Sequence, residues 1–272
     1  MAVEADAPEA HFPLNMVSEG LEGLDPPRGA FDPAGDWELA YAVCTLTRQC
    51  DRVGELRLRR EARGKRRLML GVTYNKAFPG GARQVVTGEL ECRTDSLSTP
   101  LRWRYVSETT GADGRPLGVT RIEKTAKAKR AKATFDDGGV LRSVALPEAY
   151  TVNWCLFDAV QRLSREPFAP LRFTMLDHFD QPKPNQTLSF RKSVDVMLGA
   201  RRVQRHRYQE LEKGRIKKTF WAREGGRAVR LHAYDHVGDG IVPWVYWVDD
   251  AGRLLFAVAG LEAYLLEPSQ SA

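Results

Sequence analysis

Two short stretches gather side chains that could move protons or hold a metal. "LDHFD" carries Asp177, His178 and Asp180, and "LHAYDHVGD" carries His232, Asp235, His236 and Asp239. Imidazoles beside carboxylates can ligate zinc or form an acid–base pair. Their spacing argues against both. "AVRLHAYDH" alternates like a strand, so His232 and His236 share a face about 13 Å apart at the ordinary rise, too far for one ion. The expected role is hydrogen bonding, with no metal and no cofactor. A hydrolase using His178, His232 and His236 with nearby Asp residues is the least favoured alternative. No G-x-G-x-x-G, P-loop, G-x-S-x-G or H-E-x-x-H motif occurs.

The aromatics offer a second chemistry, an apolar wall. Trp103 and Tyr105 lie in "LRWRYV", and Trp244, Tyr246 and Trp247 lie in "VPWVYWVDD". Residues two apart on a strand share a face, which pairs Trp103 with Tyr105 and Trp244 with Tyr246 and turns Trp247 the other way. Trp103, Tyr105, Trp154, Trp244 and Tyr246 form the candidate ligand-binding set; filling a core is the competing reading. Pro243 restricts its strand to a start or an edge position.

The basic runs "RLRREARGKRR" and "EKTAKAKRAK" suggest polyanion binding. Arg57 and Arg59 alternate with Leu56 and Leu58, however, and Lys127 and Lys129 with alanines, as on the solvent face of strands. Without a recognition helix or an RNP-type aromatic pattern, nucleic acid is not the expected partner. A weaker contact with anionic lipid or envelope polymer is the charge-based expectation, and a solvated face is the competing reading.

These residues need strands to place them. Period-two alternation recurs in "RRLMLGVTY", "VVTGELECR" and "TLSFRKSVDVML", separated by glycine-bearing turns such as "FPGGA", "GADGRP" and "DDAGR". The fold expected is mostly β: a curved antiparallel sheet or incomplete barrel with one central α-helix. That helix is placed at 151–163, where Val152, Leu156 and Val160 recur at helical spacing behind a Thr151 cap. Residues 1–35 read as a flexible or surface-wrapping arm, 36–266 as one β-rich domain and 267–272 as a tail. The domain divides into two similar halves, 36–146 and 170–266, if the echo between "TPLRWRYVSETTGADGRPLGV" and "VPWVYWVDDAGRLLFAV" reflects duplication.

Composition bounds the rest. The 272 residues are 43% hydrophobic and 28% charged, enough to bury a core, and carry a net charge of +6. No run of about 18 apolar residues is present, so no transmembrane helix is expected. Cys44, Cys50, Cys92 and Cys155 lack C-x-x-C spacing. Buried free thiols are the simplest reading, and a Cys44–Cys50 hairpin bridge is the alternative if two strands set them opposite. "MAVEADAPEA" has no basic or apolar signal region. It suits either a cytoplasmic start or an exported chain whose signal peptide has been removed.

A long meander interrupted by one short helix, with "YWVDDAGRLL" near its end, resembles the lipoprotein-carrier (LolA/LolB-like) half-barrels and similar uncharacterised exported bacterial β-proteins. The resemblance spans roughly residues 36–266. It implies a periplasmic or secreted, non-enzymatic protein whose curved sheet holds a lipid or acyl chain in its concavity. A structural or scaffolding envelope domain with a filled core is the alternative.

Overall fold

The computed structural model describes residues 24–25, 27–46, 50–129, 132–199, 201–211 and 214–268. The side chains of 50, 118–120, 201–202 and 205–223 lie outside that description. Most of the expected arm, residues 1–23, and the end of the tail therefore fall outside it as well.

Alternating apolar residues drive a long meander. It begins with β1 (Trp37–Leu46), β2 (Cys50–Ala62), β3 (Arg67–Ala77), β4 (Arg83–Arg93) and β5 (Pro100–Thr110). It continues through β6 (Pro116–Ala128), β7 (Lys132–Asp137) and β8 (Val140–Ala145). In β4, Val86, Leu90 and Cys92 are buried while Thr87 and Glu89 are exposed, so this half has one wet face. The chain then crosses the concavity through β9 (Tyr150–Val152), α1 (Cys155–Ala159) and a 3-10 turn at Val160–Arg162. It returns as β10 (Leu171–Asp177), β11 (Gln181–Leu198), β14 (Arg227–Val237), β15 (Trp244–Asp249), β16 (Leu254–Ala259) and β17 (Glu262–Leu266). A hairpin of β12 (Arg201–Leu211) and β13 (Gly214–Glu224) is inserted between β11 and β14.

One 15-stranded sheet results, in the order β8-β7-β6-β5-β4-β3-β2-β1-β17-β16-β15-β14-β11-β10-β9. The last strand pairs with the first, Tyr41 opposite Leu266, so the two stretches join without a break. The sheet does not close, and its open edges are β8 and β9. The mostly-β, curved-sheet expectation holds. One departure is that β9 pairs with β10 in parallel.

The central helix is much shorter than the sequence suggests. Thr151 and Val152 are β-branched, extended and paired to β10, so Thr151 is not a cap; its hydroxyl donates to Leu97 O at 2.7 Å. Helix starts only after Trp154. Even so, Val152, Leu156 and Val160 are all fully buried.

Pro243 directly precedes β15 as a strand start, one of the two positions expected of it; β15 lies between β14 and β16 and is therefore not an edge. The β1–β2 register sets Cys44 opposite Arg52 and Cys50 opposite Leu46. The short-hairpin bridge therefore lacks the opposed geometry it needs.

In β15 and β16, Val245–Val248 and Leu254–Val258 are buried on both faces. Tyr246 faces α1, whereas Trp247 stacks on Phe256 on the opposite side, 5.8 Å between ring centroids.

Candidate functional site

The expected wall of aromatics forms two clusters rather than one. At the centre, Phe157 of α1 meets Tyr41, Trp244, Tyr246 and Tyr264, each at 5.5–6.0 Å between centroids. Trp154 joins them through Phe157 and Tyr264 and also packs on Tyr74. Trp154, Trp244 and Tyr246 thus lie in one cluster. They converge around a phenylalanine that occupies the middle of the concavity. Trp103 and Tyr105 belong to the second cluster, with Phe135 and Phe179.

That second cluster explains how the open sheet is held curled. The β10–β11 turn reaches across to β4–β8. Phe179 stacks on Tyr105 at 4.6 Å and its carbonyl accepts the Trp103 indole N–H at 3.1 Å. Asp180, nearly buried, binds Lys124 at 2.7 Å and Arg142 at 3.0 Å. His178 and Phe179 adopt φ of 46° and 71°, a strained conformation that only such surrounding contacts sustain.

The crossing segment is anchored by charge at the other end of the sheet. Asp158 is fully buried. It lies 2.9 Å from Arg60 Nε, out of hydrogen-bond alignment, and accepts from Arg162 at 2.9 Å and from Ser98 at 2.5 Å. Arg60 also donates to the carbonyls of Ala34 and Gly35, which ties in the chain just before β1. Gln161 spans two elements, donating to Phe157 O and accepting from Leu254 N.

The histidines separate into three environments. His178 is exposed, 3.9 Å from Asp177. His236 is buried against Phe173 and bonded to Gln186 Oε1 at 3.1 Å; burial lowers its pKa to about 4, so the ring is neutral. His232 sits between Ser193 Oγ and Asp250 Oδ1, each at 2.8 Å. Sequence reasoning missed Ser193, because the pairing of β11 with β14 brings it opposite His232. Among the described residues, no group of three or more His, Cys, Asp and Glu side chains is placed to hold a metal ion.

Exposed apolar side chains identify a different surface. The β3–β4, β5–β6, β7–β8, β14–β15 and β16–β17 turns all lie at one end of the antiparallel sheet. Phe78, Leu117, Val140, Leu141, Val237, Val242 and Leu261 sit in or within two residues of them. They are seven of the ten large apolar side chains left exposed among the described residues. Leu261 is 65% exposed and Val242 55%, and half-buried Trp244 stands beside them. Adjacent turns touch: a Cβ on Gly260 would come within 2.9 Å of Val242, and one on Gly81 within 2.7 Å of Ala112. The opposite end is polar, as in the "RGKR" turn at 63–66. In the sequence these are only apolar residues inside turns, as in "AGLEA" and "GDGIVP", with nothing local to show that the turns share one end.

Clefts among the described residues lie elsewhere. One of about 760 Å³ opens at the polar end among Phe31, Trp37, Arg57, Arg253 and Glu267. Another, about 370 Å³, crosses the wet face between Arg57, Arg59, Thr73, Glu89 and Arg104. Its arginines are already paired, Arg57 with Glu55, Arg59 with Glu61 and Arg104 with Glu123.

The chain is an incomplete β-barrel curled around a crossing segment. No protein-family model and no curated protein matches it. Among solved structures it is similar to a β-barrel-like protein of a domain of unknown function from Brucella abortus. That match has 9% identity, covers 86% of this chain and 95% of the other, and has a TM-score of 0.44. Likeness at that level assigns no site.

Proposed function

We propose that this is an exported, non-enzymatic β domain that engages lipid or another apolar partner at the rim of its half-barrel, with Trp244 at the entrance. The observation that carries the reading is the gathering of exposed apolar side chains on the turns of one end. Turn tips are ordinarily polar, and contiguous apolar surface in water marks a contact site. Trp244 connects that rim to the interior, stacking on Tyr246 and Tyr264 at 5.8 and 5.3 Å. The contact is placed at the rim because Phe157 and Phe179 occupy the concavity behind it. Export rests on the resemblance read from the sequence.

Co-sedimentation with phosphatidylethanolamine vesicles, with and without phosphatidylglycerol, tests the reading. Wild-type protein pellets with vesicles, and the Val242→Asp/Leu261→Asp variant stays in solution. Vesicle-independent solubility of the wild type favours the scaffolding alternative; binding only with phosphatidylglycerol assigns the contact to charge rather than to the rim.

A hydrolase is the second reading, favoured by one arrangement. Asp250 can accept the His232 Nε2–H, which leaves Nδ1 free to take the Ser193 proton. Labelling of Ser193 by a fluorophosphonate, lost in His232→Ala, would support it.

A further inference from the structure

We propose that Cys92 and Cys155 form a disulfide that covalently ties the crossing segment to the wall of the half-barrel. Cys92 lies on β4 and Cys155 opens α1, and their sulfurs are 3.7 Å apart. A disulfide needs about 2.05 Å. Forming the bond requires side-chain rotation and a small shift of the short helix α1 to close that gap. Both residues are fully buried.

The pair occupies a mechanically useful place. Residues on either side of Cys155 already hold the crossing segment by non-covalent contacts, Trp154 through aromatic packing and Asp158 through its ion pairs with Arg60 and Arg162. A bridge at Cys155 adds a covalent link to β4, between those anchors. It would close a long loop, the case in which a cross-link restricts the unfolded chain most.

The chemistry requires a disulfide-donating oxidant, either a dithiol–disulfide oxidoreductase or oxidised glutathione. A Cys92 or Cys155 thiolate attacks the donor disulfide, forming a mixed disulfide and releasing one donor thiolate. The second cysteine thiolate attacks the protein sulfur of that mixed disulfide and releases the other. Two protons leave the cysteines, the pair loses two electrons, and the donor gains them. Burial and the neighbouring Cys155 push the Cys92 thiol up in the folded protein. The exchange therefore takes place while the segment is undocked, and docking then shields the finished bond. This proposal does not depend on the rim.

The test is refolding of the full chain in a reduced and oxidised glutathione mixture, followed by alkylation in denaturant and peptide mass mapping. The expected product is a Cys92–Cys155 cross-linked peptide, with Cys44 and Cys50 alkylated. Oxidised protein should melt roughly 10 °C above protein held in reductant. The Cys44→Ser/Cys50→Ser variant retains the same gain if the bridge is the one proposed. Full alkylation of Cys92 and Cys155 after oxidative refolding, or pairing of either with another cysteine, overturns it. A conservative Cys92→Ser variant that still shows the oxidant-dependent rise in melting temperature does so too.

Discussion

Phe179 lies directly over Gly88, so that a methyl group placed on Gly88 would come within 2.9 Å of the phenylalanine ring. The β10–β11 turn can lean across the concavity because β4 has no side chain at that point. The contact joins two parts of the sheet distant from each other in strand order.

Gly88→Ala should therefore push the ring off Tyr105 and destabilise the protein by about 1–3 kcal/mol, the usual range for overpacking. In a Phe179→Ala background the same change should cost little, because the obstruction is gone and alanine suits a strand interior better than glycine. Urea unfolding of the four proteins in this cycle measures the coupling. Additive effects would mean that Phe179 does not clamp the sheet.

Asp158 should be the most sensitive charged residue in the core. Asp158→Ala leaves the Arg60 and Arg162 guanidiniums beside a buried site with no carboxylate. Breaking a buried pair from one side costs about 3–5 kcal/mol. Chemical denaturation should show that loss, and protease should cut the 150–165 segment faster than in the wild type.

His236 gives the protein a pH dependence with a defined sign. Burial lowers its pKa in the folded protein to about 4, below the ordinary histidine value of 6.5. Between those values the unfolded chain binds a proton that the folded chain refuses, so stability falls as pH drops from about 6.5 to about 4 and is fully restored above. The difference corresponds to about 3 kcal/mol at the lower limit. His236→Gln should remove that share of the slope. Denaturation midpoints of both proteins across the interval check it, and parallel pH profiles would refute it.

The sequence showed the architecture more clearly than the site. Alternation in β3, β4 and β11 was legible because one face of each strand is half-buried. The helix was overestimated because Val152 and Val160 fit its periodicity, while the pairing of β9 with β10 overrides that pattern over Thr151 and Val152. The aromatics were found, but their arrangement depends on long-range pairing such as Tyr41 opposite Leu266, which no local pattern encodes. Ser193 and the rim were missed for the same reason. Leu261 in isolation is an ordinary exposed leucine, and it acquires meaning only when the pairing of β15 with β16 brings its turn beside Val242.

The most direct test of the central claim is Trp244 emission during titration with phosphatidylethanolamine vesicles, taken as the difference between wild type and Trp244→Phe. If apolar partners dock at the rim, this difference signal should shift to shorter wavelength as vesicles are added, and the shift should vanish in Val242→Asp/Leu261→Asp. An unchanged Trp244 signal at vesicle concentrations that bind the protein, or an equal shift in the double variant, would contradict the account.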